Sequence, residues 1–75
     1  MKNYYYVQND FAEDIYDLGI RFSSLKKAVE YAVEQKSTAN LIHNGWHNFD
    51  RYQYGDTVET LLARCKAYED EIRNR

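Results

Sequence analysis

The chain has 75 residues, enough for one small domain (residues 1–75), and a formal net charge of −2 at pH 7. That charge lacks the basic excess of a general nucleic-acid binder and is too small for a protein that imitates nucleic acid over its whole surface. Uninterrupted apolar runs reach only three or four residues, which excludes a transmembrane helix. A single cysteine excludes an internal disulfide and predicts a reducing compartment, the cytoplasm.

Two strand-like segments near the start of the chain predict a β-hairpin. Residues 3–8 are rich in strand-forming side chains, and residues 15–22 alternate apolar and polar side chains. We expect the two segments to pair, joined by an acidic loop, with Gly19 marking a bulge. The side chains on the buried face of the second strand would be Tyr16, Leu18, Ile20 and Phe22.

A helix is predicted over residues 24–36. Ser23 or Ser24 would cap its N-terminus by accepting a hydrogen bond from a backbone N–H of the first turn. Apolar side chains then recur at intervals of three and four, which is typical of an amphipathic helix with lysine and glutamate on its wet face. The apolar face consists of Leu25, Ala28, Val29, Ala32 and Val33.

The step from the predicted strand into this helix, residues 20–32, reads IRFSSLKKAVEYA. It resembles the strand-to-helix step of small phage-encoded inhibitors, among them a phage inhibitor of bacterial RNA polymerase and several anti-CRISPR proteins. The resemblance implies a small, cofactor-free domain that covers a surface of a larger host machine. These inhibitors share no common motif, so the resemblance assigns no site residues.

Residues 39–55 are compatible with two interpretations. Asn44 and Gly45 form the strongest two-residue hairpin signal, which would pair the segments on either side of them. A helix remains open because apolar side chains in this stretch also recur at helical spacing. We favour strand–turn–strand. The chain then reads β-β-α-β-β-α, an α+β domain with an antiparallel sheet and two helices packed on one face.

The last predicted helix covers residues 57–73. Asp56 followed by Glu59 is typical of an N-cap with an acidic residue in the first turn. Glu69 and Arg73, four residues apart, would form a favourable pair near the C-terminus. The apolar stripe of this helix consists of Val58, Leu61, Leu62, Cys65, Tyr68 and Ile72.

The residues that could carry chemistry form no complete catalytic set. His43, His47 and Asp50 would share one face of a helix and could form a metal triad there, whereas a hairpin directs the two histidines to opposite faces. Cys65 lies in an apolar stripe, where burial makes it a structural residue. No phosphate-binding loop or cofactor motif occurs in the sequence. We expect no metal, no cofactor and no enzymatic activity.

Four carboxylates fall within eight residues between the first two predicted strands. Their spacing does not match a calcium-binding loop. We interpret them either as a solvated loop or as an acidic patch that meets a basic surface of a partner. The four residues are Asp10, Glu13, Asp14 and Asp17.

Aromatic residues make up 16% of the chain, more than a small domain can bury completely. Tyrosine and tryptophan are enriched in protein interfaces. The rings are compatible with core packing, with a protein interface or with a stacking surface for single-stranded nucleic acid. The mixed charge around Arg51 disfavours the nucleic-acid interpretation. The rings that we expect to contact a partner are Tyr4, Tyr6, Trp46, Tyr52 and Tyr54.

Together these features predict a non-enzymatic protein-binding module. We expect a phage or mobile-element inhibitor, similar to anti-CRISPR proteins, that blocks a nucleic-acid-binding surface of a host complex. The acidic loop would meet the basic surface of that complex, and no membrane is involved. One alternative is a regulatory homodimer that uses the last helix or the edge of the strand at residues 4–7. The other is a single-stranded nucleic-acid binder that uses Trp46, Tyr52, Tyr54 and Arg51.

Overall fold

The computed structural model of the chain describes residues 4–9 and 19–74. They form an α+β domain with a four-stranded antiparallel sheet and two helices, which confirms the predicted fold class and element order. The strands are β1 (Tyr5–Asn9), β2 (Ile20–Phe22), β3 (Asn40–His43) and β4 (Asn48–Arg51), and the helices are α1 (Leu25–Gln35) and α2 (Val58–Arg73). Across the sheet the strand order is β2-β1-β3-β4.

The predicted first hairpin is present. β1 and β2 pair antiparallel, with Tyr5 opposite Phe22 and Val7 opposite Ile20. The prediction that Ile20 is buried is wrong, because β2 is an edge strand and leaves this side chain exposed. The remaining half of the predicted second strand and the acidic residues fall in 10–18, outside the described residues.

Strand β1 lies in the interior of the sheet, because it also pairs with β3, where Val7 is opposite Ile42. Its backbone is therefore hydrogen-bonded on both sides. In the described part of the chain the edges of the sheet are β2 and β4, so the strand of residues 4–7 does not offer the free edge that the predicted homodimer would use.

Gly19 precedes β2 and is not a bulge within it. Its φ is +91°, a conformation that favours glycine. A Cβ at this position would lie 2.1 Å from the carbonyl oxygen of Val7. The close approach of the two backbones therefore requires a residue without a side chain.

Helix α1 has the cap that the sequence predicts. The Ser24 hydroxyl accepts a hydrogen bond from the N–H of Lys27 at 3.2 Å. The helix ends at Lys36, whose φ of +52° is left-handed and whose N–H donates to the carbonyls of Ala32 and Val33. The predicted apolar face packs on the sheet, with Val33 only partly buried.

Residues 39–55 form a hairpin, as we favoured, but its turn is longer than the predicted one. His43 is opposite Asn48, so the turn consists of residues 44–47. Leu41 is opposite Arg51, which leaves one extra residue in β4 and a bulge between the two pairs.

Helix α2 matches the predicted range, but its N-cap is Thr57 and not Asp56. Thr57 and Thr60 form a capping box, in which each hydroxyl accepts a hydrogen bond from the other's backbone N–H, at 3.3 and 3.0 Å. Asp56 makes a different contact, with Arg64. The Tyr68 ring, predicted in the apolar stripe, is exposed.

Arg64 ties α2 to β4 and to the segment between them. Its guanidinium donates to the Asp50 carboxylate at 2.7 Å, to the Asp56 carboxylate at 2.7 and 2.6 Å, and to the Arg51 carbonyl at 3.2 Å. These hydrogen bonds hold the pKa of Asp56 well below its usual range.

Both helices and the sheet share one hydrophobic core, which places the helices on the same sheet face. Strands contribute Val7, Ile42 and Phe49, and the segment after β4 contributes Tyr52. The helices contribute Leu25, Ala28, Val29, Ala32, Leu61 and Cys65.

Candidate binding surface

The most exposed large hydrophobic side chain of the described part of the chain belongs to Trp46, in the turn of residues 44–47 (the Trp46 turn). Its residue surface is 92% accessible. The Asn44 side-chain oxygen accepts the N–H groups of Trp46 and His47 at 3.0 and 2.7 Å, and the Asn44 N–H donates to the His47 carbonyl at 3.1 Å. The His43 Nδ1 accepts the Gly45 N–H at 2.9 Å. Four hydrogen bonds thus hold the backbone that presents this ring.

A small cavity of about 140 Å³ adjoins the Trp46 turn. Asn44 forms one wall, and the rings and aliphatic groups of Phe49 and Ile72 supply its apolar lining. The volume is close to that of apolar cavities that bind benzene. It therefore has room for one apolar side chain of a partner.

A polar cluster closes the other side of the small cavity and joins β1 to α2. The Tyr5 hydroxyl donates to the Glu69 carboxylate at 2.5 Å, and the second oxygen of Glu69 lies 3.4 Å from the Arg73 guanidinium. The pair of Glu69 and Arg73 is the one that the sequence predicts. Burial and the hydrogen bond to Glu69 raise the pKa of Tyr5 to about 12. The phenol is thus a neutral hydrogen-bond donor at physiological pH.

An open groove of about 460 Å³ lies between the start of α1 and the middle of α2 (the lysine groove). It shares Tyr5 and Glu69 with the small cavity as lining residues. Leu25 and Leu62 line it with apolar groups. The other lining residues are Ser23, Ser24, Lys26 and Lys66.

The predicted aromatic group around residues 46–54 is not assembled. Tyr52 is only 6% exposed and belongs to the core, so its predicted contact with a partner is wrong. Tyr54 is 84% exposed, with its ring edge-on to that of Tyr52 at 6.3 Å. Tyr54 follows β4 and Trp46 precedes it, so a strand of about 13 Å separates the two exposed rings.

Tyr4 and Tyr6 lie away from the core and have intramolecular partners. The Arg21 guanidinium lies 4.5 Å from the centre of the Tyr4 ring. The Tyr6 ring stacks on His43 at 5.4 Å, on the sheet face opposite Val7. Both tyrosines are half-buried, and their contact with a partner stays a prediction.

The structure does not bring the candidate metal triad together. His43 is buried against Tyr6, whereas His47 is exposed and Asp50 binds Arg64. Across residues 4–9 and 19–74, no group of three or more histidine, cysteine or acidic side chains is placed to hold a metal ion.

Cys65 is fully buried, and burial raises the pKa of its thiol to about 12. The side chain therefore packs as a small apolar residue, as predicted. Within the ranges that the structure describes, no helix has the length and apolar character needed to cross a membrane.

Sequence reasoning missed the residues that join the cavity to the groove. Tyr5 and Glu69 are 64 positions apart, so no local pattern connects them. Lys66 is one of several charged residues on α2, and the sequence does not distinguish it from the others. The Asn44–Gly45 signal and the expectation that the Trp46 ring contacts a partner both pointed toward the Trp46 turn.

No protein-family model, curated protein or solved structure matches this chain.

Proposed function

We propose that the protein is a non-enzymatic protein-binding module with the Trp46 turn at the centre of its binding surface. The observation that carries this proposal is an almost fully accessible tryptophan on a backbone fixed by four hydrogen bonds. Tryptophan is strongly enriched among the residues that dominate binding energy. A turn that is already ordered loses little conformational entropy when a partner covers it.

The surroundings of Trp46 support a protein partner. The small cavity beside the turn offers Phe49 and Ile72 to an apolar side chain, with the Tyr5–Glu69 pair as a polar neighbour. A pocket that combines apolar groups with a few oriented polar groups is typical of recognition sites. A partner that contacts Trp46 would also lie over this cavity.

Within residues 4–9 and 19–74, three side chains of types that perform catalysis, those of Cys65, Asp50 and Asp56, are engaged in structure, which supports a non-enzymatic role. Cys65 is buried as a neutral thiol, and Asp50 and Asp56 are bound to Arg64. A nucleophile or general base needs to be accessible to a substrate.

The narrower prediction, a phage or mobile-element inhibitor that blocks a nucleic-acid-binding surface of a host complex, depends on the acidic residues. Asp10, Glu13, Asp14 and Asp17 lie outside the described residues. Changing Asp10, Glu13 and Asp14 to lysine should abolish binding to such a partner and leave the fold intact. Unchanged affinity in moderate salt would remove the acidic-loop mechanism.

Quantitative affinity capture with matched variants tests the proposed function. Tagged wild-type protein, Trp46→Ser and Tyr54→Ser are incubated with lysate of the source cells, and the retained proteins are compared by mass spectrometry. Both substitutions replace an exposed ring on a turn, so circular dichroism should show the same fold for all three.

We expect a protein that wild type and Tyr54→Ser retain and that Trp46→Ser loses by about tenfold or more. Equal retention by all three proteins contradicts the proposal. A greater loss with Tyr54→Ser would move the binding surface to the other end of β4.

A further inference from the structure

We infer that the lysine groove and the small cavity together bind an acidic segment of a partner protein that also carries an apolar side chain. This inference rests on the proposed function and specifies the chemistry of the partner. The two spaces are neighbours that share Tyr5 and Glu69 as lining residues, and Asn44 of the Trp46 turn lines the small cavity.

The charge of the lysine groove is the first argument. Lys26 lies in the first turn of α1 and Lys66 on the facing side of α2, and neither forms an ion pair with any residue of 4–9 or 19–74. The first turn of α1 contains no acidic residue. Helix N-termini are positive, so lysines there repel the helix dipole. An anionic group in the groove would relieve that repulsion.

The apolar lining is the second argument, and it separates a protein segment from a simple anion. Leu25 and Leu62 line the groove, and Phe49 and Ile72 line the adjoining cavity. Leu25 and Phe49 are almost completely buried, so Leu62 and Ile72 are the apolar groups that an inorganic anion would leave exposed to water. In a peptide, carboxylates and an apolar side chain can lie a few residues apart. The surface has a corresponding arrangement, with lysines in the groove and the apolar groups of Phe49 and Ile72 in the adjoining cavity.

Glu69 is the third argument, because its carboxylate limits where a ligand can carry negative charge. Its carboxylate stands where the groove meets the cavity, and Asp70 follows it on α2. A nucleic-acid backbone carries a phosphate at every nucleotide and would bring negative charge against these groups. A peptide carries its charge at chosen positions, so it can be neutral beside Glu69.

The test is an NMR titration of the full chain with two synthetic twelve-residue peptides. In one peptide the first half consists of aspartate and glutamate and the second half of leucine and serine, so that the second half is uncharged; in the other, lysine replaces the acidic residues. We expect the acidic peptide to shift the backbone amides of residues 23–26 and 62–69, and the lysine peptide to leave them unchanged.

Charge-reversal variants give the matched control. Lys66→Glu should weaken binding of the acidic peptide by about tenfold, because it removes an attraction and adds a repulsion. Lys27→Glu makes the same charge change on α1 outside the lining of the groove and should weaken binding less than threefold.

Four results would overturn the inference. They are no amide shifts at millimolar peptide, equal shifts with the lysine peptide, equal weakening by both charge reversals, and the same shifts with inorganic phosphate or a mixed single-stranded oligonucleotide. Concentration-dependent shifts without peptide would assign the groove to a second copy of the chain. None of these results changes the Trp46-dependent capture, so failure here is distinguishable from failure of the proposed function.

Discussion

Replacing Arg64 with methionine removes a guanidinium that holds β4, the following segment and α2 together. The long aliphatic chain of methionine keeps much of the packing of the arginine stem. What is lost is the ion pairs with Asp50 and Asp56 and the hydrogen bond to the Arg51 carbonyl. The Asp56 carboxylate, only 7% exposed, would retain the Gln53 N–H and the Thr60 hydroxyl as donors.

The loss in free energy of unfolding depends on how exposed the ion pairs of Arg64 are to water. Removing one partner of a buried ion pair costs about 3–5 kcal/mol. The Arg64 side chain is 38% exposed, so water screens part of the interaction and the cost falls to about 2 kcal/mol. For a domain of this size, that corresponds to a decrease in Tm of about 8–16 °C.

Chemical denaturation at pH 7 measures this loss, with Arg73→Met as the control. Arg73 lies on the same helix, but its side chain is 64% exposed and 3.4 Å from Glu69, so we expect a loss of about 0.3 kcal/mol. An Arg64→Met protein within about 0.5 kcal/mol of wild type would refute the reasoning.

The pH dependence of the same variant is a second readout. The pKa of Asp56 is lowered from its ordinary 3.8 by Arg64, so the stabilisation is complete above that value and is lost as pH falls below it. The difference in stability between wild type and Arg64→Met should therefore shrink as pH falls from about 5 to about 2, the range in which the unfolded carboxylate titrates. A stability difference that does not change with pH would show that the loss arises from packing and not from the ion pair with Asp56.

Three further predictions concern single side chains. Cys65, whose thiol has its pKa raised to about 12 by burial, should react with a thiol reagent only at the rate of unfolding; rapid labelling of folded protein would contradict its burial. Tyr5 ionises near pH 10 when unfolded and at about 12 when folded, so its stabilisation is complete below pH 10 and lost as pH rises through 12. Tyr5→Phe should lack that alkaline loss in denaturation curves; an unchanged loss would assign it to other groups. Gly19→Ala should cost about 2 kcal/mol or more, because its methyl would meet the Val7 carbonyl at a φ of +91°. Wild-type stability of this variant would show that the two backbones can separate.

The helices were predictable because their signals are local. Apolar side chains at intervals of three and four define the buried faces of α1 and α2, and Ser24 caps α1 as expected. At the start of α2 the sequence offers two adjacent capping residues, Asp56 and Thr57. Arg64 binds the Asp56 carboxylate, and Thr57 forms the N-cap. Which of the two residues caps the helix therefore depends on tertiary contacts.

The hairpin of β3 and β4 shows which features local sequence signals do not predict, namely the turn length and the register of β4. Asn44 and Gly45 predict a turn but not its length, because the Asn44 side chain replaces a backbone acceptor and supports four turn residues. The extra residue in β4 changes which side chains face the core. Tyr52 is therefore buried, although its sequence context resembles that of Tyr54.

The candidate binding surface was predictable only in part. The excess of rings predicts exposed aromatic residues, and Trp46 and Tyr54 are exposed. The cavity and the groove arise from segments at opposite ends of the chain that meet at Tyr5 and Glu69. Such contacts follow from the path of the chain and not from any spacing within it.

Photo-crosslinking from position 46 in the source cells tests the central claim most directly. The protein is produced with p-benzoylphenylalanine in place of Trp46 and, as the control, in place of Tyr54. We predict a crosslink to a specific partner protein from position 46 and little or none from position 54. A partner that crosslinks only from position 54, or no protein crosslink from position 46 in cells where the protein is active, would contradict the account.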